Sequence, residues 1–329
     1  MIAKTARDKR FPHYRSYYFN MEDWLVLIVG IIAVVAVYVF YVYKNDYVAY
    51  MNLQSAYDKR PVLWVYVDDS DVNSRFWADF GARSSRALNV PFLNLCYASI
   101  AKAAEPHYRV EMINGVADAV EKLGGAAHVP DRLLGLGQKK MLNALEKTYL
   151  CVAFLERYGG LWMPLSTVCL KQLPALPEDK VAFFGSNQTE MYAPALPGQA
   201  VYWSPKAAHP VMTAWADLLQ ARMEDGNGGS WVRGDAALDM DALLARFKDD
   251  IVIMRDASLD RKSNGKTIGI EDWLAHGSPT FTLTDAALFM PVYYAELERR
   301  SAYGWFLKMS EAQIMESDLA IKHILGASV

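Results

Sequence analysis

The chain has 329 residues, and 34 Lys and Arg against 37 Asp and Glu give a formal charge of −3, which offers no electrostatic footprint for nucleic acid. Charged residues make up 22% and hydrophobic ones 53%, an ordinary globular mixture with an apolar surplus and no low-complexity tract. The three cysteines, Cys96, Cys151 and Cys169, lack metal-ligand spacing and are odd in number, so they form no complete disulfide framework and read as small buried hydrophobes.

The apolar surplus is concentrated near the N-terminus. Residues 1–23 form a tail with Lys4, Arg7, Lys9, Arg10 and Arg15, and Trp24–Tyr43 (WLVLIVGIIAVVAVYVFYVY) follows without one charge. A helix of that length covers about 30 Å, the thickness of a bilayer's hydrocarbon core. Trp24 stands at one end and Tyr38, Tyr41 and Tyr43 gather towards the other, where amphipathic rings favour the interface. A buried core helix would show a polar stripe, and a signal peptide would be shorter and followed by small residues; neither pattern is present. The sequence therefore predicts one transmembrane helix over 24–43. The positive-inside rule leaves the tail on the cytosolic or matrix-equivalent side and carries the rest of the chain across. The basic, aromatic tail suits contacts with phosphate headgroups and also mitochondrial targeting, so the inner mitochondrial membrane and the Golgi or ER are both open as locations.

Residues 44–60 read as a polar connector, and 61–329 as one α/β domain. Val62–Val67 is a short β-branched and aromatic run, a strand ended by Asp68–Asp71. Pro91 opens a helix through FLNLCYASIAKAA, followed by a strand over Tyr108–Ile113 and a helix near Val116–Leu123. This alternation predicts a parallel-type sheet covered by helices. Apolar spacing predicts a long helix over Gln138–Tyr158, stopped by Gly159 and Gly160, then a strand at Leu161–Met163. Further strands are expected at Val181–Phe184, Val201–Ser204 and Ile251–Met254. Helices are expected at Pro210–Met223, Leu238–Phe247 and Glu311–Leu325, with a loop over Glu224–Asp235.

The passage AFLERYGGLWMPLSTVCLKQLP, together with LWVYVDD at Leu63–Asp69, the spacing of Pro91, Cys96, Ser99 and Tyr108, and YWSPKAAHPVMTAW, resembles the DXD-motif sugar transferases. These are the capsular-polysaccharide-synthesis and initiating-mannosyltransferase types. There a helix ends in Tyr-Gly-Gly, matched here by Tyr158, Gly159 and Gly160, and an apolar strand delivers an aspartate motif. The resemblance covers most of 61–223. It implies a GT-A-like nucleotide-sugar fold, with Trp64, Tyr66 and Asp69 as nucleotide-pocket candidates.

The resemblance also implies chemistry whose residues are absent. A transferase of this kind holds Mn²⁺ or Mg²⁺ against the diphosphate through carboxylate oxygens. The positions that match its Asp-x-Asp or Asp-Ala-Ser motif are Pro164, Leu165 and Ser166. Ser166 suits the second form, but proline supplies neither a carboxylate nor an N–H. A Ser-Asp with an Arg three residues on is matched by Lys147, Thr148 and Cys151. Asp69-Ser70-Asp71 and Asp239-Met240-Asp241 have Asp-x-Asp spacing but read as chance matches, the second as carboxylates in a first helical turn. His209 reads as a cap before Pro210 and His276 as a loop histidine. Tyr202, Trp203, Trp215, Trp231, Trp273 and Trp305 could line a sugar site, or build cores.

Two functional expectations follow. In the first, the chain is a non-catalytic, glycosyltransferase-like accessory subunit in a membrane complex, with no cofactor and no metal, whose partners are the bilayer and other membrane-protein subunits. In the second, it is an active type II transferase of the secretory pathway, using a nucleotide sugar with Mn²⁺ or Mg²⁺, or cations such as Arg157, Lys171 and Arg233. Asn187-Gln188-Thr189 is a glycosylation acceptor if the domain is lumenal.

Overall fold

The computed structural model describes residues 21–45, 51, 54, 57–67, 91–134, 142–186, 201–224, 233–292, 297 and 300–327. The chain divides into two compact units, Met1–Asn52 and Leu53–Val329.

In the first unit, α1 (Met21–Asn45) is a single helix of 25 residues. Its described side chains, Trp24 through Val35 and Val37, are exposed. Among the described residues no helix is long and apolar enough to cross a membrane. The helical backbone of α1 covers all of 24–43.

The second unit opens with β1 (Val62–Val67), α2 (Pro91–Ala104), β2 (Arg109–Asn114) and α3 (Gly115–Lys122). A short α4 (Asp131–Leu134) precedes α5 (Ala144–Tyr158), after which come β3 (Gly160–Pro164), β4 (Thr167–Cys169), β5 (Val181–Ser186) and β6 (Tyr202–Ser204). Then follow α6 (Pro210–Glu224), α7 (Arg233–Arg246), β7 (Ile251–Ser258), α8 (Ile270–Trp273), β8 (Phe289–Pro291), α9 (Glu311–Glu316) and α10 (Ala320–Ala327).

The strands form one eight-stranded sheet in the order β2-β1-β3-β6-β5-β7-β8-β4. β1 pairs in parallel with β2 and with β3, and β5 with β7. The expectation of a parallel-type sheet holds for these pairs and fails at β6, which runs antiparallel to both β3 and β5. Apolar runs carry no mark of strand direction, so the reversal was not readable from the pattern. β4 and β8 are a further antiparallel pair, too short to stand out as apolar runs.

Both sheet faces are covered, which explains why VLWVYV is apolar throughout and buried at every position. Leu63, Val65, Leu161 and Met163 pack on one face with Phe92, Cys96 and Ile100 of α2 and with Phe306, Ile321 and Ile324. Trp64 and Trp162 lie on the other, against Phe154 of α5, while Tyr202 and Phe183 meet Trp215 of α6 edge-on. All three cysteines are buried and free.

Three helices differ from expectation at their boundaries, the first two for local reasons. α5 begins at Ala144 because Asn143 caps it: Asn143 Oδ1 accepts from the Glu146 N–H at 2.9 Å, and Glu146 Oε2 accepts from the Asn143 N–H at 2.8 Å. The expected helix Glu311–Leu325 is broken into α9 and α10 where Ser317 turns extended and its hydroxyl donates to the Ile314 carbonyl at 2.7 Å. At α7 the helix starts at Arg233, so the last three residues of the expected loop are helical.

Candidate functional site

The chain runs from β1 out to β2 on one side, then returns to place β3 on the other side of β1. In an open α/β sheet such a reversal leaves a crevice at the carboxyl ends of the two strands, where ligands bind. A small cleft of ≈ 20 Å³ lies there. Tyr66 of β1, Trp162 and Pro164 of β3 and Tyr202 of β6 line it from the sheet; Lys147, Thr148 and Cys151 line it from α5.

The local structure explains this grouping. Tyr66 is paired with Pro164, and Trp162 with Tyr202, so all four project from one face of the sheet. Cys151 lies three residues after Thr148 and four after Lys147, which brings all three to the side of α5 at the cleft. Tyr66 stacks on Trp162 with centroids 5.8 Å apart and planes 19° apart. The Thr148 hydroxyl donates to the Ala144 carbonyl at 2.9 Å. Lys147 is half-buried and is the one cation among the described lining residues.

Burial pushes the Cys151 thiol and the Tyr202 phenol well above their ordinary ranges, and Cys151 adds to the effect on Tyr202. Both therefore stay protonated at neutral pH, and Cys151 is not a thiolate nucleophile. The N-terminus of α5 is closed to an external anion. The Glu146 carboxylate caps it, is fully buried, and accepts from Arg132 Nε at 2.9 Å.

The structure thus gathers Tyr66, Lys147, Thr148, Cys151 and Pro164, which the sequence matched to the donor site, and adds Trp162 and Tyr202. It does not gather the rest. Trp64 is fully buried beneath the cleft, and its Nε1 donates to the Gly159 carbonyl at 2.9 Å. Tyr158, Gly159 and Gly160 stand at the other end of β3 from Pro164, about 13 Å away at strand spacing. Gly159 (φ +69) and Gly160 (φ +99) hold a close crossing: a Cβ would lie 2.8 Å from the Lys206 backbone and 2.4 Å from the Val62 carbonyl oxygen. Ser166 turns β3 into β4, and its carbonyl accepts from the Val292 N–H at 2.9 Å. Asp69 and its partner Asp71, like Asn187 and Trp231, lie outside the described residues.

The remaining candidates are structural. Asp239 is buried and ion-paired with Arg222, tying α7 to α6 in the middle of the helix rather than in its first turn, and Asp241 faces solvent. His209 is buried; burial lowers its pKa, and its Nδ1 accepts from the Val211 N–H at 3.3 Å at the start of α6. His276 is exposed, 3.9 Å from Asp318. Lys171 donates to the Asp285 carbonyl at 2.6 Å, away from the cleft. Among the described residues no group of His, Cys, Asp or Glu converges as a metal site.

The four passages that carry the resemblance prove to be bonded to one another. Trp64 reaches Gly159. The Ser99 hydroxyl accepts from the Cys169 N–H at 3.1 Å, and the Tyr108 hydroxyl donates to the Pro174 carbonyl at 2.7 Å. Ala208 N–H donates to the Glu156 carbonyl at 2.6 Å. The other three thus converge on residues 156–174. No family model and no curated protein sequence matches the chain.

Proposed function

We propose that the chain is a membrane-anchored, non-catalytic protein with a glycosyltransferase-like domain, an accessory subunit whose α1 lies in the bilayer and whose partners are other membrane subunits. In this reading the basic tail stays on the cytosolic or matrix-equivalent side, in the mitochondrial inner membrane or the Golgi or ER, and residues 61–329 lie on the opposite side. The observation that carries it is a division of labour among the resembling residues. Of those that survive, Trp64, Ser99, Tyr108, Gly159 and Gly160 make scaffold bonds or crossings while Tyr66 and Trp162 line the cleft, and the substituted Lys147, Thr148, Cys151 and Pro164 all face the cleft. Loss confined to the cleft is what release from catalysis leaves behind, because buried bonds still contribute to stability when chemistry no longer matters.

Calorimetric titration of the folded chain with UDP- and GDP-sugars, with and without Mn²⁺, tests this reading. No metal-dependent binding is expected; its appearance would return the protein to the active type II transferases, the second reading, which the position of the cleft at the sheet's reversal favours. Pro164→Asp alone is expected to create no transferase activity and to be neutral or mildly destabilising, since it adds one carboxylate to a largely aromatic cleft. Robust sugar transfer by that single variant would show that the rest of a working site is intact. Truncation before Asn45 is expected to release a folded soluble domain, read by size exclusion and circular dichroism. An aggregated product would mean that the domain depends on its membrane neighbours.

A further inference from the structure

At one end of the sheet stands β2, six residues long, whereas β4 at the other end has three. Among the described residues no strand lies beyond β2. The Arg109 N–H donates to the Pro61 carbonyl at 3.1 Å, so Arg109 turns its backbone groups towards β1. By alternation Val110, Met112 and Asn114 turn theirs outward. An outward row of N–H and C=O groups is a template for another strand, and a second copy of this chain offers the same row in return. In an antiparallel pair about a two-fold axis, Met112 would face its own counterpart and exchange two hydrogen bonds with it.

We propose that the Asp118–Lys122 ion pair of α3 is an autoinhibitory contact that occupies this edge and keeps the chain from pairing through β2 with a second copy. The Lys122 ammonium donates to the Met112 carbonyl at 2.8 Å, and the Asp118 carboxylate accepts from the Asn114 N–H at 2.7 Å. The two side chains meet at 2.6 Å. The cation thus stands where a neighbouring strand would bring an N–H, and the carboxylate where it would bring a C=O. Helix capping accounts for Asp118 at the Asn114 N–H, since α3 starts at Gly115, but no helix requires a lysine at a strand carbonyl. The Lys122 side chain is only 11% exposed, and the Tyr158 hydroxyl donates to its carbonyl, holding this end of α3 to α5. A charged side chain fixed in that way blocks an incoming strand by its bulk and by taking the central acceptor.

Sedimentation velocity and amide hydrogen exchange of the full chain, in detergent micelles, test this. In the Lys122→Met variant, self-association is expected to tighten by about tenfold or more over the parent, with the Met112 amide exchanging more slowly as concentration rises. Asp118→Asn keeps an acceptor for the Asn114 N–H and is the milder change; it should show the same effect more weakly. Lys122→Arg retains the positive donor and should stay closest to the parent. Folded variants that associate no more than the parent would overturn the inference. So would new association that leaves Met112 exchange unchanged, because it would belong to another surface, or a parent whose Met112 amide already slows with concentration. Should Lys122→Met fail to fold, Asp118→Asn decides by the same two readings.

Discussion

Gly160→Ala is expected to lower the thermal midpoint of the domain by about 5–15 °C, following a loss of about 2–5 kcal/mol. Gly160 has φ +99, where a Cβ is strained whatever the space, and here there is no space. The new atom would lie 2.4 Å from the Val62 carbonyl oxygen and 3.1 Å from Trp64 Nε1. Neither neighbour can give way easily. Val62 starts β1, which is held on both sides by β2 and β3, and Trp64 is fixed by its bond to Gly159. Circular dichroism melting of the full chain reads the effect. A midpoint within about 2 °C of the parent would mean that β1 and β3 can separate at this end without cost, which their pairing contradicts.

Trp64→Ala is expected to be comparably severe, about 3–5 kcal/mol, because it empties a fully buried site between β1 and α5. The ring meets Phe154 at 5.2 Å and Tyr158 at 5.3 Å between centroids, so both lose their packing partner. Trp64→Phe separates the two contributions. It retains most of the apolar volume but strands the Gly159 carbonyl, and should cost about 1–3 kcal/mol. Urea unfolding midpoints of the two variants order them. The sequence alone placed Trp64 in the nucleotide pocket, where replacement would disturb ligand binding before stability. Small stability losses with abolished ligand binding would restore that placement.

Much of the domain was legible because its signals are local. β1 appeared as a six-residue apolar run, α2 followed its opening proline, and the Tyr-Gly-Gly step marked the end of α5 and the start of β3. The Asn143 capping box lay in plain view in the sequence, yet apolar spacing alone carried the helix back to Gln138, since periodicity has no stop signal of its own. At the cleft, Tyr66, Thr148, Cys151 and Pro164 were found through the resemblance. Tyr202 was noticed only as one aromatic among several, and its strand pairing with Trp162 is what brings it to the site.

The sequence by itself determined the apolar run of 24–43, the α/β character of the domain, and the absence of a carboxylate at Pro164, because hydropathy, periodicity and residue identity are properties of the chain read in order. Only the tertiary structure decided which conserved-looking features are scaffold and which face the cleft. Tyr158, Gly159 and Pro164 are close together in sequence, but the rigid rise of β3 puts them at opposite ends of a strand. Trp64 and Tyr66 share a sheet face, yet one lies beneath α5 and the other at its open end. Such differences arise from pairing and packing between segments far apart in the chain, which no linear pattern records.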